Sequence, residues 1–370
     1  MNERESGSGT EVCIIGLGLM GGSLALALSR RGIAVTGWDE NPAALREASL
    51  IGAIRSAPES FAQAVRRAAV IFIATPVTEI VNSVRRALPE TLPGAIFSDL
   101  GSIKEAFVEE IFAFLPADRF FVPGHPMTGS EEHGIAAADP FLFENAAYIL
   151  IEDPRTPPEA LRRIRDLVQG TGASLLTLSA AAHDRIVAAV SHLPHLIAAT
   201  LAKTAGAAEE DAPGTLALAA GGFRDTTRVA TGSPDLWTGI ILGNRGKVLD
   251  VIEAFQVQLD ALRNLLLQND TAGLCDFLGK GREVRLQIPA KNKGFLTLLH
   301  EMVVTIADQP GTIDAVLRHL AREGLNIKDI EILRVREGDG GTLRLAFENG
   351  PAVDQAVMAL AREGFKVRKR

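Results

Sequence analysis

Cysteine is scarce in this chain, with only Cys13 and Cys275 among 370 residues. Two cysteines so far apart do not form the disulfide framework of small secreted domains, so a reducing compartment, the cytoplasm, is predicted. The first ten residues are polar and lack the apolar segment of a signal peptide, and no run of eighteen uninterrupted apolar residues follows. We therefore expect a soluble cytoplasmic protein with no membrane partner.

Positive charge is also in deficit, with 38 Lys and Arg against 45 Asp and Glu and a formal net charge of −7. This balance argues against nucleic acid as the main partner, although it leaves room for a local basic pocket that holds an anionic substrate. Apolar residues, in contrast, make up 47% of a chain that is too long for one ordinary core. Two or three domains are expected.

A glycine-rich segment near the N-terminus carries the strongest signal. Four apolar residues, typical of a buried strand, lead into Gly16, Gly18 and Gly21. The first two glycines allow a tight turn with close backbone approach, and the third lets the next helix pack against the strand. That helix offers its N-terminal N–H groups to a pyrophosphate. A second predicted strand, residues 34–38, then ends at the carboxylate of Asp39.

This arrangement predicts a dinucleotide-binding site, with a purely structural strand–turn–helix as the alternative. Asp39 can accept hydrogen bonds from both ribose hydroxyls and would repel a 2′-phosphate, and the next three residues supply no cation to hold one. NAD is therefore favoured over NADP. The predicted cofactor-binding residues are Gly16, Leu17, Gly18, Met20, Gly21, Asp39, Thr75 and Pro76.

Short apolar runs alternate with helical patterns from residue 11 to about residue 178. Further strands are predicted at residues 70–74, 95–98, 120–122, 147–151 and 174–178. The alternation predicts an α/β fold with a Rossmann-like, parallel, doubly wound sheet, in which ligands bind beyond the carboxyl ends of the strands. Polar or turn-forming segments fall at those ends, at residues 74–77, 99–104 and 124–131.

Helical patterns replace the strands after residue 180 and continue to about residue 283. In the longest helix, apolar residues recur at spacings of four and three: Val248, Ile252, Phe255, Leu259, Leu262 and Leu266. This stripe lies on one face of the helix. It predicts either packing within one subunit or the seam of a dimer.

An internal repeat follows a predicted linker at residues 285–298. The six residues 320–325 are echoed at residues 360–365, and in each copy a helix ends at a glycine, Gly324 or Gly364, suited to a left-handed conformation. Further strands are predicted at residues 302–307 and 342–347. The resulting order βαββαβ predicts a small ferredoxin-like unit.

Five histidines fall between residues 125 and 195: His125, His133, His183, His192 and His195. His192 and His195 lie three apart on a predicted helix that Pro194 would disturb, but no further ligand completes a metal set there, so no metal is expected. His125 differs because it falls in a Gly/Pro-rich loop at the predicted ligand-binding edge of the sheet.

Arg224 and Arg228 lie four residues apart, on one face if the segment is helical. One could pair with Asp225, which leaves the other to clamp a carboxylate. A nicotinamide site, a histidine at the sheet edge and an arginine from the helical domain together indicate a dehydrogenase acting on a small anionic substrate.

Three segments resemble prephenate dehydrogenases: residues 124–131 (GHPMTGSE), residues 191–195 (SHLPH), and residues 222–228 (GFRDTTR) leading to Trp237. The resemblance covers about residues 11–290. The usual alanine of the first motif is Thr128 here, and the usual Asp-Pro order before the tryptophan is reversed.

The resemblance implies NAD-dependent oxidative decarboxylation of prephenate to 4-hydroxyphenylpyruvate, on the route to tyrosine. His125 would accept a hydrogen bond from the ring hydroxyl, Ser102 would hold that hydroxyl and the nicotinamide side, and Arg228 would clamp a carboxylate. Further implied substrate contacts are Ser130, Glu131, Ser191, His195 and Trp237. The tryptophan could come from the partner subunit of a homodimer.

The tail from about residue 300 resembles an ACT domain, through residues 308–311 (DQPG) and 324–327 (GLNI). This resemblance implies either feedback inhibition by tyrosine bound at a dimer interface or a purely structural role in dimerisation. The implied regulatory residues are Asp308, Pro310, Asn326 and Ile327.

Alternatives remain open at the level of the sequence. Arogenate or dual-specificity cyclohexadienyl dehydrogenases share the chemistry, whereas a β-hydroxyacid dehydrogenase would need a catalytic lysine, for which Lys203 and Lys247 are the candidates. A non-catalytic sensor of NAD and amino acids is a more distant alternative. The expected domains are residues 11–179 for NAD binding, 180–284 for helical substrate binding and dimerisation, 285–298 for a linker, and 299–370 for the ACT-like module.

Overall fold

The computed structural model describes residues 11–129, 132–288, 299–336 and 340–369. The chain divides into two compact units, residues 1–275 and residues 276–370. The larger unit contains two sheets and two core clusters, and the smaller unit contains one sheet and one core cluster.

A five-stranded parallel sheet, in the order β2-β1-β3-β4-β5, forms the base of the larger unit. Its strands are β1 (Glu11–Ile15), β2 (Ala34–Trp38), β3 (Val70–Ile73), β4 (Ile96–Asp99) and β5 (Phe120–Val122). The helices that follow them are α1 (Leu19–Ser29), α2 (Pro42–Leu50), α3 (Phe61–Val65), α4 (Ile80–Ala87) and α5 (Glu105–Phe114). This is the Rossmann-like parallel sheet that the alternating pattern predicts.

The two faces of this sheet carry separate cores. Along β1, Val12 and Ile14 face one core and Cys13 and Ile15 face the other, because successive side chains of a strand point to opposite faces. Helices α1 and α2 cover the first face, and α3, α4 and α5 cover the second. Burial on both faces explains why these strands are continuous apolar runs.

The expectation of one continuous parallel sheet is wrong beyond β5. A second sheet contains β6 (Gly124–Pro126), β7 (Ala147–Ile151) and β8 (Ser174–Leu178), and α6 (Pro158–Gln169) connects the last two. Strand β6 runs antiparallel to β7, whereas β7 and β8 are parallel. The segment expected to be a loop around His125 is therefore a short strand. Pro123 lies between β5 and β6, and its missing N–H cannot continue a ladder.

Six helices complete this part of the chain: α7 (Ala180–Val187), α8 (Leu193–Asp211), α9 (Gly221–Thr227), α10 (Pro234–Gly243), α11 (Arg245–Leu267) and α12 (Thr271–Gln287). A single π-helical turn, Ala188–His192, joins α7 to α8 just before Pro194, which cannot donate a helical hydrogen bond. Among the described residues, the run Ala180–Asp211 is apolar and long enough to cross a membrane by composition alone, a test that core helices also pass.

The apolar stripe of α11 is only partly covered within the chain. Val248 is buried, but Leu259 and Leu266 are 49% and 58% exposed. The predicted linker, residues 285–298, begins inside α12, and its residues 289–298 lie outside the described residues.

The smaller unit contains an antiparallel sheet in the order β10-β11-β9-β12. Its elements are β9 (His300–Ile306), α13 (Thr312–Arg322), β10 (Asp329–Arg336), β11 (Gly340–Phe347), α14 (Gly350–Arg362) and β12 (Lys366–Lys369). Both helices pack on one face of the sheet, against a core that includes Met302, Val304 and Leu345.

The internal repeat has the helix ends that its sequence predicts. Gly324 and Gly364 have φ angles of +69° and +85°. The N–H after each glycine bonds back to the carbonyl of Leu320 or Leu360, both at 3.1 Å, which closes each helix with the same Schellman turn.

Candidate active site

The loop after β1 forms the cradle that the glycines predict. Gly16 has a φ of +93°, and a Cβ placed there would lie 2.7 Å from the carbonyl oxygen of Ala74. A Cβ at Gly21 would lie 1.9 Å from the carbonyl oxygen of Gly16, so only glycine lets α1 approach this turn so closely. At Gly18, in contrast, a Cβ would meet no described atom within 4 Å. The N-terminus of α1 is therefore open to a phosphate ligand.

Asp39, at the carboxyl end of β2, lies beside this loop. Its Oδ2 accepts the N–H of Leu17 and its Oδ1 accepts the N–H of Asn41, both at 2.8 Å. A carboxylate has about four lone-pair sites, so these bonds fix its orientation and leave acceptors for two ribose hydroxyls. Sequence reasoning missed a cation close to Asp39. Arg86 of α4 forms an ion pair with Glu40, the residue that follows Asp39.

A cavity of ≈ 300 Å³ adjoins the cradle. Its lining includes Leu17, Gly18, Asp39 and residues 134–136. The side of the cavity formed by residues 134–136 is held against α1, because Ile135 is buried in the core and the N–H of Asp139 donates to Oγ of Ser23 at 2.9 Å. The glycine contacts, the oriented carboxylate and this space together fit NAD.

A chain of buried polar side chains lies at the other sheet. His125 in β6 is 8% exposed, and its Nδ1 lies 2.7 Å from Nε2 of His183 in α7. Nδ1 of His183 lies 2.6 Å from Oδ1 of Asp184. His183 and Asp184 are 0% and 1% exposed. A continuous hydrogen-bonded chain therefore runs from Asp184 through His183 to His125.

Asp184 also caps a helix of the parallel-sheet region. Its two carboxylate oxygens accept the backbone N–H groups of Lys104 and Glu105, each at 2.8 Å. Glu105 is the first residue of α5, whose N-terminus favours a negative charge. The loop just before it carries Ser102, so one carboxylate is bonded both to this loop and to the histidine chain.

A buried ion pair lies beneath the same loop. Asp99, the last residue of β4, pairs with Lys104, and neither side chain has any exposed surface. Asp99 also accepts the N–H of Gly101 at 2.8 Å and that of Gly124 at 3.2 Å. Because an unpaired buried charge is costly, these bonds fix the Ser102 loop against the start of β6.

The pKa of His125 lies well below its ordinary value of 6.5. Desolvation by burial is the largest cause, followed by the positive charge of Lys104 and then by His183 and His192. The imidazole is therefore neutral at neutral pH and keeps one nitrogen lone pair. His125 can act as a hydrogen-bond acceptor and base.

Two further histidines extend this region into the helices. Nδ1 of His192 lies 3.2 Å from Nδ2 of Asn244, and burial lowers the pKa of His192 to about 4. His195 stacks on Trp237, with ring centroids 3.7 Å apart and an interplanar angle of 15°. Nδ1 of His195 is buried without a hydrogen-bond partner among the described residues. A polar ligand atom would satisfy that nitrogen.

These histidines are not arranged as a metal site. In the described ranges, no group of three or more His, Cys, Asp or Glu side chains could hold a metal ion. The cluster has instead the hydrogen-bonded, neutral imidazoles that suit acid–base chemistry.

Two family models match most of the chain. They are the nucleotide-binding domain of prephenate dehydrogenase, at residues 24–177, and the dimerization domain of prephenate dehydrogenase, at residues 179–280. The chain belongs to the prephenate dehydrogenase family.

Members of this family are similar to the chain over most of its length. The prephenate dehydrogenase of Bacillus subtilis is 34% identical, over 91% of this chain and 92% of its own. The structure of prephenate dehydrogenase from A. aeolicus with hydroxyphenyl propionate and NAD+ has a TM-score of 0.68 at 28% identity, over 77% of this chain and 100% of its own. The structure of Synechocystis arogenate dehydrogenase has a TM-score of 0.67 at 31% identity, over 75% of this chain and 99% of its own.

The remaining predicted site residues have varied positions. Ser102 and Ser191 are half-buried, whereas Arg228 is exposed at the start of the 3₁₀ turn Arg228–Thr231. Thr75 lies just after β3, with its Oγ1 3.3 Å from Oγ of Ser83. Trp237 contacts His195 of its own chain, so this chain itself supplies a tryptophan to the region. Ser130 and Glu131 lie outside the described residues.

Asp184 and Asn244 are polar residues of this region that sequence reasoning missed, and His183 was named without a role. Adjacent residues of a helix do not share a face, so a His-Asp pair in sequence gives no sign of a common target. Their partners His125 and Lys104 lie 58 and 80 residues away. No local pattern could have found that contact.

The predicted regulatory residues flank α13. Asp308 and Pro310 precede α13, whereas Asn326 and Ile327 follow it, and the helix between them has 11 residues. A separate cavity of ≈ 340 Å³ in this unit is lined by other residues, including His300, Glu301, Gly350 and Lys369.

Proposed function

We propose that the protein catalyses the NAD-dependent oxidative decarboxylation of prephenate to 4-hydroxyphenylpyruvate, in the biosynthesis of tyrosine. The observation that carries this proposal is the buried His125, which lies on the second sheet of the unit that holds the dinucleotide cradle and is hydrogen-bonded to His183, in a member of the prephenate dehydrogenase family. The reaction removes a hydride from the ring carbon that bears the hydroxyl, while the ring carboxylate leaves as CO₂.

His125 has the properties that this reaction requires of its base. As the hydride leaves, the carbon–oxygen bond gains carbonyl character and the hydroxyl proton becomes acidic. A neutral imidazole that accepts this proton stabilises the developing charge in the transition state. Formation of the aromatic ring supplies much of the driving force, so the enzyme has chiefly to align the ring with the hydride acceptor.

Other residues would bind and orient the substrate. Ser102, on the loop held by Asp184, would hold the ring hydroxyl and the nicotinamide side. Arg228 would bind a substrate carboxylate with its guanidinium, which suits bidentate contacts. Further contacts are assigned to Ser130, Glu131, Ser191, His195 and Trp237, of which His195 offers the unpartnered Nδ1.

NAD would be held by the cradle already described, with its pyrophosphate at the N-terminus of α1 and its adenosine ribose at Asp39. The assigned residues are Gly16, Leu17, Gly18, Met20, Gly21, Asp39, Thr75 and Pro76. When bound, NAD supplies the hydride acceptor. The chain's part is to place the substrate hydroxyl against His125 and to exclude water.

We further propose that the enzyme is a cytoplasmic homodimer without membrane or nucleic-acid partners. The half-exposed leucines of α11 support a dimer seam, because apolar surface of this kind is normally buried in an interface. The match to a dimerization domain supports the same assembly. The domains would be residues 11–179, 180–284 and 299–370, joined by a linker at 285–298.

The C-terminal sheet would be a ferredoxin-like ACT domain. Its βαββαβ order and its strand order support this assignment. We propose that tyrosine binds there at a dimer interface through Asp308, Pro310, Asn326 and Ile327, which lie before and after α13. Unchanged tyrosine sensitivity in a chain that ends before residue 300 would refute this role.

Arogenate is the second candidate substrate, because the chain resembles Synechocystis arogenate dehydrogenase as closely as it does a prephenate dehydrogenase. A lysine-dependent hydroxyacid dehydrogenase is disfavoured, since Lys247 forms an ion pair with Glu105 and Lys203 is exposed on α8.

The test is to follow NADH formation with prephenate and arogenate offered separately, and with NAD compared with NADP. We expect turnover of prephenate with NAD. Turnover of arogenate alone would replace the substrate but keep the chemistry. No turnover of either would refute the proposal and favour a sensor that binds NAD without catalysis.

A further inference from the structure

The hydrogen-bonded chain behind His125 has a direction. We propose that Asp184 and His183 are positioning residues that hold His125 in the tautomer with its hydrogen on Nδ1 and its lone pair on Nε2. This inference deepens the proposed function and rests on it only for the identity of the proton donor, the ring hydroxyl of the substrate.

The direction begins at Asp184. Its carboxylate oxygens already accept two backbone N–H groups, those of Lys104 and Glu105. Backbone N–H groups can only donate, so both carboxylate oxygens are acceptors in these bonds. Oδ1 of Asp184 must then be the acceptor in its 2.6 Å contact with Nδ1 of His183. The hydrogen in that contact therefore lies on Nδ1 of His183.

The orientation of His183 determines which atom donates in its contact with His125. In the arrangement we propose, His183 carries a hydrogen on Nδ1 alone, so its Nε2, 2.7 Å from Nδ1 of His125, holds a lone pair. This contact is a hydrogen bond only if His125 donates from Nδ1. The one lone pair left to neutral His125 is then on Nε2, the nitrogen that can face a ligand. With His183 in this form, the opposite tautomer of His125 would leave two lone pairs facing each other inside the protein.

Other groups near His125 do not offer a competing arrangement. Lys104 is paired with Asp99, and its charge opposes protonation of His125. His192 contacts Asn244, whose amide also donates to the backbone carbonyl of Asp184 at 2.8 Å. His183 therefore supplies the acceptor for His125 Nδ1, and Asn244 supports the helix turn that holds it.

Asp184 has a second effect on the site. By capping α5 it fixes the loop that carries Ser102, and through His183 it fixes His125. The carboxylate of Asp184 thus fixes the positions of Ser102 and His125, the two side chains that would hold the ring hydroxyl. Neither Asp184 nor His183 would touch the substrate.

The tautomer can be observed without any substrate. Histidine-nitrogen NMR of isotope-labelled full-length protein at neutral pH distinguishes a hydrogen on Nδ1 from one on Nε2, and loss of a signal in His125→Asn assigns His125. Neutral imidazole in water prefers the hydrogen on Nε2. We therefore expect the less common Nδ1–H form for His125, and the Nε2–H form would overturn the proposal.

Two matched variants separate positioning from folding. In His183→Gln the amide lies near the former Nε2 and can still accept from His125, whereas in His183→Asn it lies near the former Nδ1 and can reach only Asp184. We expect His183→Asn to lower kcat by ~10²-fold, the scale of a misaligned acid–base group, with KM for prephenate within about threefold. His183→Gln should retain most of kcat.

Ser98→Ala is the control for a change at a buried side chain. Ser98 is buried on β4 without a hydrogen-bond partner among the described residues, so this variant should leave kcat and the tautomer unchanged. Equal losses of kcat in His183→Asn and His183→Gln would show a merely structural role for His183 and overturn the proposal. If the enzyme oxidises neither prephenate nor arogenate but the tautomer is as expected, the proposed function fails while the positioning holds.

Discussion

At the scale of single residues, the environment of His125 separates its two nitrogens. Nδ1 is occupied by His183, and burial together with Lys104 keeps the ring uncharged. Under the proposed function, this arrangement makes Nε2 the atom that accepts the proton. It also means that the contribution of His125 to catalysis can be removed without removing its contribution to the buried hydrogen-bonded chain.

His125→Asn is the variant that does so. The amide can donate to His183 from near the former Nδ1 but places no acceptor at Nε2. We expect kcat to fall by about 10²–10⁴-fold, the usual contribution of a positioned base. The dissociation constant of NAD, measured by quenching of protein fluorescence, should stay within about twofold because the cradle lies on other residues. A near-normal kcat would remove His125 from the mechanism.

His125 shows which features of the site could be predicted from the sequence and which could not. Its place in a Gly/Pro-rich segment at the carboxyl edge of the sheet singled out His125, and the resemblance to prephenate dehydrogenases implied its role as base. Its partners were hidden, since the contacts to His183 and Asp184 depend on how the first helix of the helical region docks on β6. Residue types and local sequence patterns do not determine how that helix packs against β6.

At the scale of elements, the sequence predicted the strands and helix ends that depend on neighbouring residues along the chain. The strands of the parallel sheet were found because two-sided burial makes them continuous apolar runs. The glycine ends of α13 and α14 were found because a left-handed residue is required there. Strand β6 was missed because three residues containing glycine and proline carry no strand propensity, and its pairing with β7 is a tertiary interaction.

The packing of α1 against β1 gives a prediction at this scale. Gly21→Ala would place a methyl group against the carbonyl of Gly16 and force α1 away from the turn. We expect a loss of about 1–3 kcal/mol in the free energy of unfolding, typical of overpacking, and at least a tenfold rise in the dissociation constant of NAD. Thermal unfolding and NAD titration measure the two effects.

Gly206→Ala in α8 is the matched control. It is also a glycine-to-alanine change within a helix, but its Cβ would meet no described atom within 4 Å. Alanine should there leave NAD binding unchanged and raise helix stability by about 0.5–1 kcal/mol. NAD binding as tight in Gly21→Ala as in the unchanged protein would contradict the cradle geometry.

At the scale of the whole molecule, three buried histidines link stability to pH. Burial lowers the pKa of His125, of His192 to about 4, and of His195, below the ordinary value of 6.5 that they have when unfolded. The unfolded chain therefore binds more protons than the folded one between about pH 6.5 and pH 4, and stability rises with pH across that window. The full contribution is present above pH 6.5 and is lost as pH falls towards 4.

Calorimetry should therefore show the larger unit losing thermal stability on acidification before most carboxylates titrate. All three histidines belong to residues 1–275, so the effect should appear in the transition of that unit. We expect its Tm to fall by several degrees between pH 7 and pH 5, since 1 kcal/mol corresponds to roughly 2–4 °C in a unit of this size. His192→Gln, which has no group that titrates in this range, should flatten the dependence. A Tm that does not change over this interval would mean that the histidines are not held neutral by the fold, and the acceptor role of His125 would lose its physical basis.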